Sequence, residues 1–284
     1  MLAVAHPLNE SNIALRRATT EAEKANESKS VLLSNMSHEI RTPMNGVLGT
    51  LQILERPELD EKSKELVSKA IYSASSLLTI INDILDFSKI EAHQLVLEQA
   101  PFSFGEVLES VKLDTTESVG CKRIELIINI DPCFHDGWMG DYVRVRQILL
   151  NLISNAVKFT ETGSVTVDVS RNDKNVIEIV VTDTGISMSD EAQQSIFERF
   201  NQADSSTTRK YGGTGLGVPI TVSLIRLMGG DISINSVVNQ GTAVAISLPL
   251  EQAENVPKHK THGNTAPSLI QKRSLSPRTT RLIN

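Results

Sequence analysis

Apolar residues Leu33, Met36, Ile40, Met44, Val47, Leu51 and Leu54 recur at three- and four-residue steps, the spacing of one stripe on an α-helix. After a break at Arg56-Pro57-Glu58, the pattern resumes through Leu66, Ile71, Leu77, Leu78, Ile81, Ile84, Leu85 and Ile90 and predicts a second helix, Asp60 to Ala92. Two long amphipathic helices joined by a short turn form a hairpin that cannot bury both stripes by itself. Pairing with a second copy into a four-helix bundle solves that problem, so a homodimer is expected. Upstream, Asn12 to Ser30 is rich in Ala, Glu, Lys and Arg and reads as an exposed lead helix.

Beyond Pro101 the period changes. Ile124–Ile130, Val165–Val169, Val176–Thr182, Ile232–Ser236 and Ala243–Leu248 read as strands. Helices are expected at Tyr142–Lys158, Ser189–Phe197 and Pro219–Met228. Strands mixed with helices but without regular βαβ spacing indicate an α+β sandwich. From Glu251 the chain turns polar, carries Pro257, Pro267 and Pro277, and is expected to be a disordered tail.

Composition narrows the classes. The 284 residues carry 28 Lys and Arg against 34 Asp and Glu, a net charge of −6 without a sustained basic stripe, which argues against a nucleic-acid surface. Cys121 and Cys133 lack the spacing and histidine partners of a zinc site and suggest reduced thiols in a cytosolic protein. No run reaches the roughly eighteen apolar residues of a membrane span, and Met1–Ala5 is too short for a signal-peptide core.

Four places bear candidate chemistry. His38 lies two residues from both Met36 and Ile40, which at about 100° per residue turns it away from the apolar stripe, beside the Glu39 carboxylate. Pro43, five residues on, removes a backbone donor and should kink the helix there. In the helix Tyr142–Lys158, Asn151, Asn155 and Lys158 fall at i, i+4 and i+7, opposite Val145, Ile148, Leu149, Leu152 and Ala156. Amide oxygens suit Mg²⁺ and an ammonium suits phosphate, although a solvated face would have the same spacing. Asp183-Thr184-Gly185 comes straight off a strand, where a carboxylate can accept an exocyclic amine and glycine lets the backbone approach a base; a plain turn has the same letters. Gly212-Gly213-Thr214-Gly215-Leu216-Gly217 opens a helix, where exposed N–H groups favour phosphate.

Taken together, Ser37-His38-Glu39-Ile40-Arg41-Thr42-Pro43 with Asn45-Gly46, then Asn151-Leu-Ile-Ser-Asn155-Ala-Val-Lys158-Phe159-Thr160, Asp183-x-Gly185 and the glycine run resemble, in family order from Ser30 to Leu250, the sensor histidine kinases of two-component systems. The hybrid subgroup is the nearest. The resemblance implies a dimeric helical hairpin followed by an α/β sandwich ATPase of the GHKL (Bergerat) type. Its divisions would be a lead helix 1–29, a dimerisation and histidine phosphotransfer domain 30–96, a catalytic ATP-binding domain 97–250 and the tail 251–284.

By the same resemblance His38 would accept the γ-phosphoryl group of ATP, Glu39 would take a proton, and Thr42 would orient a water for the reverse, phosphatase reaction. Asn155 would coordinate Mg²⁺; Asn151 and Lys158 would help hold the phosphates, with Phe159 beside them; Asp183 and Gly185 would read adenine. Phe200, Arg209 and Lys210 fall in or beside a polar run that would be the lid over ATP, and Gly213, Thr214, Gly215, Leu216 and Gly217 would line the phosphates. The phosphoryl group would pass to an aspartate of a response-regulator receiver domain. The chain stops at Asn284, too soon for a receiver of its own, so either that domain is expected on another protein or the chain is a shortened relative of the hybrid kinases. A sensor or hybrid kinase is a further expected partner, and the location is cytoplasmic, at a membrane only through such a partner.

One departure matters. Ser187 stands where the family usually has a second glycine, and if the backbone there needs positive φ, serine would cost about 1 kcal/mol or more, or shift the loop, and so weaken nucleotide binding. Val218-Pro219 also departs from the family pattern, but proline is tolerated in a first helical turn. Two rival classes remain: a pseudokinase that dimerises with and regulates another kinase, and an ATPase of the gyrase, chaperone or mismatch-repair type lacking the histidine helix.

Overall fold

The computed structural model describes residues 17, 36, 39–54, 59–92, 94–172, 174–189, 192–193, 215–237, 240–254 and 256. Residues 39–54 form helix α1, which continues through Pro43. Helix α2, Glu61–Glu91, starts where Asp60 caps it by accepting from the Ser63 N–H at 2.9 Å, with Glu61 in the first turn and Lys89 in the last, each favourable to the helix dipole. Arg41 on α1 donates to Asn82 on α2 at 2.9 Å and ties the two together. The apolar positions of this hairpin stay largely uncovered: Ile53 is 66% exposed, Leu66 59% and Tyr72 75%. The lead helix lies outside the described residues, except for a helical Arg17.

The rest is an α+β sandwich. A five-stranded sheet runs in the order β2-β4-β5-β7-β6, with β2 Arg123–Ile130, β4 Thr162–Arg171, β5 Ile177–Asp183, β6 Asp231–Val237 and β7 Gly241–Leu248. β2 and β4 are parallel, as a connection through a helix requires; the other pairs are antiparallel. Helices α3 Phe104–Gly120, α4 Tyr142–Phe159 and α5 Gly217–Leu227 cover one face, with α4 in the middle. Val145, Ile148, Leu149, Leu152, Ile153, Ala156 and Val157 of α4 sink against Val165, Val167, Ile177, Ile179 and Val181 of the sheet. The apolar face read from the sequence is the buried face of α4.

The structure adds elements that the pattern does not reveal. Helix α3 and a small antiparallel sheet, β1 Ala100–Ser103, β3 Gly137–Gly140 and β8 Glu251–Gln252 in the order β1-β3-β8, add Phe102, Phe104 and Trp138 to the core. β8 corrects the expected boundary at 250: Glu251 and Gln252 pair with Met139 and Trp138, and the buried Ala253 donates its N–H to the Gly137 carbonyl at 3.0 Å. The ordered domain therefore includes the first residues assigned to the tail. The helix expected at Ser189–Phe197 falls mostly outside the described residues, with Ala192 and Gln193 helical.

The two parts meet at the end of α2. Asp86 accepts from Arg144 at 2.6 Å and from Gln147 at 2.9 Å, both on the first turns of α4, while Phe87 and Ile90 pack against the sandwich core.

Candidate nucleotide site and phospho-acceptor helix

The alternation of β5 builds the base end of the site. Ile177, Ile179 and Val181 face the helices, so the next inward residue in that period of two is Asp183. The residue is 7% exposed, and burial pushes the carboxylate pKa above its ordinary value. Two backbone donors oppose that shift, the Gly185 N–H at 2.9 Å and the Thr242 N–H. Gly185 lies so close to the end of α4 that a Cβ there would be 2.4 Å from the Phe159 carbonyl oxygen, which also accepts from the Ile186 N–H at 3.1 Å. The turn after β5 and the C-terminus of α4 are thereby joined.

Lys122, just before β2, makes the joint firmer. Its ammonium donates to the carbonyls of Val157 (2.8 Å), Lys158 (2.8 Å) and Thr160 (2.9 Å), groups left without helical partners at the end of α4. A cation there also complements the helix dipole. Sequence pattern passes over Lys122, because a lysine before a strand carries no signal of this role.

Asn151, Asn155 and Lys158 share the partly exposed face of α4. Asn151 donates to the Thr221 hydroxyl of α5 at 2.6 Å, and a Cβ on Gly217 would fall 2.5 Å from the Asn151 oxygen, so a larger residue there would displace the Asn151 amide. Asn155 donates its amide hydrogens to the Asn151 oxygen at 3.2 Å. No donor among the described residues meets the Asn155 oxygen, which leaves a hard ligand of the type Mg²⁺ takes; the donor set fits that ion. Lys158 is partly buried, which lowers its pKa, and its ammonium lies 4.9 Å from the centre of the Phe159 ring.

The structure thus brings together Asn151, Asn155, Lys158, Phe159, Asp183, Gly185, Leu216 and Gly217, with Gly215 entering the first turn of α5 at φ +70°. Leu216 is the N-cap residue of α5, so Pro219 sits in its first turn, as expected. Glu39 and Thr42 lie exposed on α1. His38, Phe200, Arg209, Lys210, Gly213 and Thr214 lie outside the described residues.

Ser187 departs from its expectation. Its φ is not positive; among the described residues Asn175 alone, apart from glycines, has that geometry. The premise of a strained serine therefore fails. Its hydroxyl instead donates to the Val237 carbonyl at 2.7 Å and accepts from the Gly241 N–H at 3.2 Å.

Comparison with known proteins agrees with this geometry. Residues 140–252 match the family described as histidine kinase-, DNA gyrase B- and HSP90-like ATPase, and residues 28–93 match the His Kinase A (phospho-acceptor) domain. The chain belongs to the histidine kinases, whose phospho-acceptor and ATPase domains it carries in that order. It is 41% identical over 249 residues to the signal transduction histidine-protein kinase BarA of Escherichia coli (strain K12), covering 86% of this chain and 27% of BarA. It is also 42% identical over 239 residues to the hybrid signal transduction histidine kinase A of Dictyostelium discoideum, covering 80% of this chain and 11% of that protein. Among solved structures, full-length ShkA in complex with AMPPNP is similar, with a TM-score of 0.65 and 34% identity over 78% of this chain and 46% of that one. The chain thus spans about a quarter or less of these two sequence relatives. No helix among the described residues is long and apolar enough to cross a membrane.

Proposed function

We propose that this chain is an ATP-dependent protein-histidine kinase that phosphorylates His38 and passes the phosphoryl group to an aspartate of a response-regulator receiver domain. The observation that carries the reading is the joint of α4 and the β5 turn. It brings the turn that holds the Asp183 carboxylate against the end of the helix bearing Asn151, Asn155 and Lys158, which supports a base beside Asp183 and phosphates with their cation along that stripe. The AMPPNP bound to the related ShkA supports a nucleoside triphosphate as the occupant.

In this mechanism Asp183 accepts the exocyclic amine of adenine, and Gly185 admits the base to the backbone. Lys158 meets phosphate oxygens, which offset the burial that lowers its pKa. Asn155 would hold Mg²⁺, which when bound neutralises phosphate charge. A ring nitrogen of His38 attacks the γ-phosphorus in line; the bond to the β,γ-bridging oxygen breaks and ADP leaves. Glu39 accepts the proton of the other ring nitrogen, which keeps the attacking lone pair available. Thr42, one turn beyond, orients a water for the phosphatase reaction. Phe200, Arg209, Lys210, Gly213 and Thr214, outside the described residues, are assigned to triphosphate binding by their place in the family's motifs.

The uncovered apolar face of the hairpin supports a homodimer with a four-helix bundle. A cytoplasmic location follows from the need for ATP and a receiver. The pseudokinase rival rested partly on a strained Ser187, and that support is gone.

Incubation with γ-labelled ATP and Mg²⁺ tests the reading. Acid-labile, alkali-stable label on the wild type and none on His38→Gln is expected. An unlabelled wild type that still binds ATP would overturn the kinase reading in favour of a regulatory module.

A further inference from the structure

The turn from Asp183 to Ser187 is closed on β7 at both of its ends. At the first, Asp183 and Thr242 are register partners on β5 and β7, and the Thr242 backbone helps to hold down the pKa of the Asp183 carboxylate. At the second, the Ser187 hydroxyl accepts from the Gly241 N–H at 3.2 Å and donates to the Val237 carbonyl at 2.7 Å, spanning from the end of β6 to the start of β7. Gly241 sits between the two closures. Its φ of +95° favours glycine, and a Cβ on it would lie 1.9 Å from the Asp183 carbonyl oxygen. The hydroxyl of Ser187 therefore holds the residue that lies against the Asp183 backbone and directly precedes Thr242, the strand partner of Asp183.

The following residues repeat the attachment. The Met188 N–H donates to the Ser236 hydroxyl at 2.8 Å, Gln193 exchanges hydrogen bonds with the Ser236 backbone at 2.9 and 3.1 Å, and the Ser236 hydroxyl lies 3.0 Å from that of Thr242. The turn is laced to the end of the β6–β7 hairpin by side chains, and Ser187 is the tie nearest the base site.

We propose that Ser187 is a positioning residue of the base site, whose hydroxyl fixes Gly241-Thr242 so that the Asp183 carboxylate meets the exocyclic amine of adenine. The proposal rests on the reading of Asp183 as the adenine acceptor. Physically, a buried carboxylate depends on every donor that faces it, and a donor on an untethered turn moves away from it. Substituting the serine then weakens base recognition, the reverse of what a strained serine implies.

The test measures dissociation constants of the full chain for ATP and for inosine triphosphate, which carries an oxo group in place of the amine. Wild type, Ser187→Ala, Ser187→Gly and Ser187→Thr are compared. Wild type prefers ATP. Loss of two hydrogen bonds in the alanine and glycine variants weakens ATP binding about 5–10-fold while inosine triphosphate changes little, so that the preference shrinks. Threonine, which keeps the hydroxyl, retains the preference. An equal loss for both nucleotides in the alanine variant, or unchanged ATP binding, overturns the positioning role with Asp183 still the reader. A wild type indifferent to the base overturns the Asp183 reading and the proposal with it.

Discussion

The helical hairpin and the ATPase sandwich use apolar residues in opposite ways. In the sandwich, Trp138, Ile153 and Ile179 are 0% exposed, and the strongest apolar positions of three helices and two sheets converge on one core. In the hairpin, Ile53, Leu66, Tyr72, Leu77 and Ile84 remain exposed, and the most buried apolar positions of α2 are Ala74 and Leu85. A two-layer unit satisfies its apolar faces within one chain, whereas two helices side by side leave half of each stripe outside. The first region should therefore be stable alone, and the second should depend on another surface.

Truncation in each region tests that contrast. Ile153→Ala removes a fully buried side chain from the middle of α4 and should cost about 2–5 kcal/mol, seen as a large drop in the denaturation midpoint of the sandwich. Leu66→Ala, at a 59% exposed position, should change the unfolding free energy of the monomer by about 0.5 kcal/mol or less. It should instead raise the concentration at which dimers dissociate in light scattering. A comparable stability loss in both variants would break the comparison, because it would mean the hairpin has a closed core of its own.

Lys122→Met addresses the joint inside the sandwich with a smaller expected effect. It strips three carbonyls at the end of α4 of a charged donor, and a loss of about 2 kcal/mol is expected from the charged hydrogen bonds and the helix dipole. Chemical denaturation measures it. A change below about 0.5 kcal/mol would show that water replaces the ammonium at no cost.

Legibility in the sequence divides along the same line. The α2 boundaries were readable to within a residue, because a long amphipathic period ends in a true N-cap, Asp60. The five strands of the main sheet were likewise visible, since each alternates or runs apolar over several residues. Strands β1, β3 and β8 are two to four residues long, too short for any period to register. Helix α3 does carry apolar Phe104, Val107, Leu108 and Val111 at helical spacing, but Thr115, Thr116 and Gly120 weaken its second half. At the site, the face of Asn151, Asn155 and Lys158 follows from helix geometry, and the inward turn of Asp183 from strand parity. The roles of Lys122 and Ser187 do not follow, since each depends on backbone groups 35–38 and 50–54 residues away.

The smallest effect lies where the two regions touch. Asp83 on α2 is pushed up to about 6, first by burial and then by the charge of Asp86 one turn on, which itself holds Arg144 of α4. The folded chain therefore keeps a proton on Asp83 that the unfolded chain releases near pH 4. A raised carboxylate favours the folded form most at low pH, and that advantage is lost as pH rises from about 4 through 6. Partial solvent access weakens the effect relative to a fully buried acid. Asp83→Asn keeps the shape and removes the titration, so subtracting wild-type from variant stability isolates this one group. The difference should climb in favour of the variant between pH 4 and 6 and level off above 7. A flat difference would mean that Asp83 titrates alike folded and unfolded, and that the end of α2 stays hydrated where it meets the sandwich.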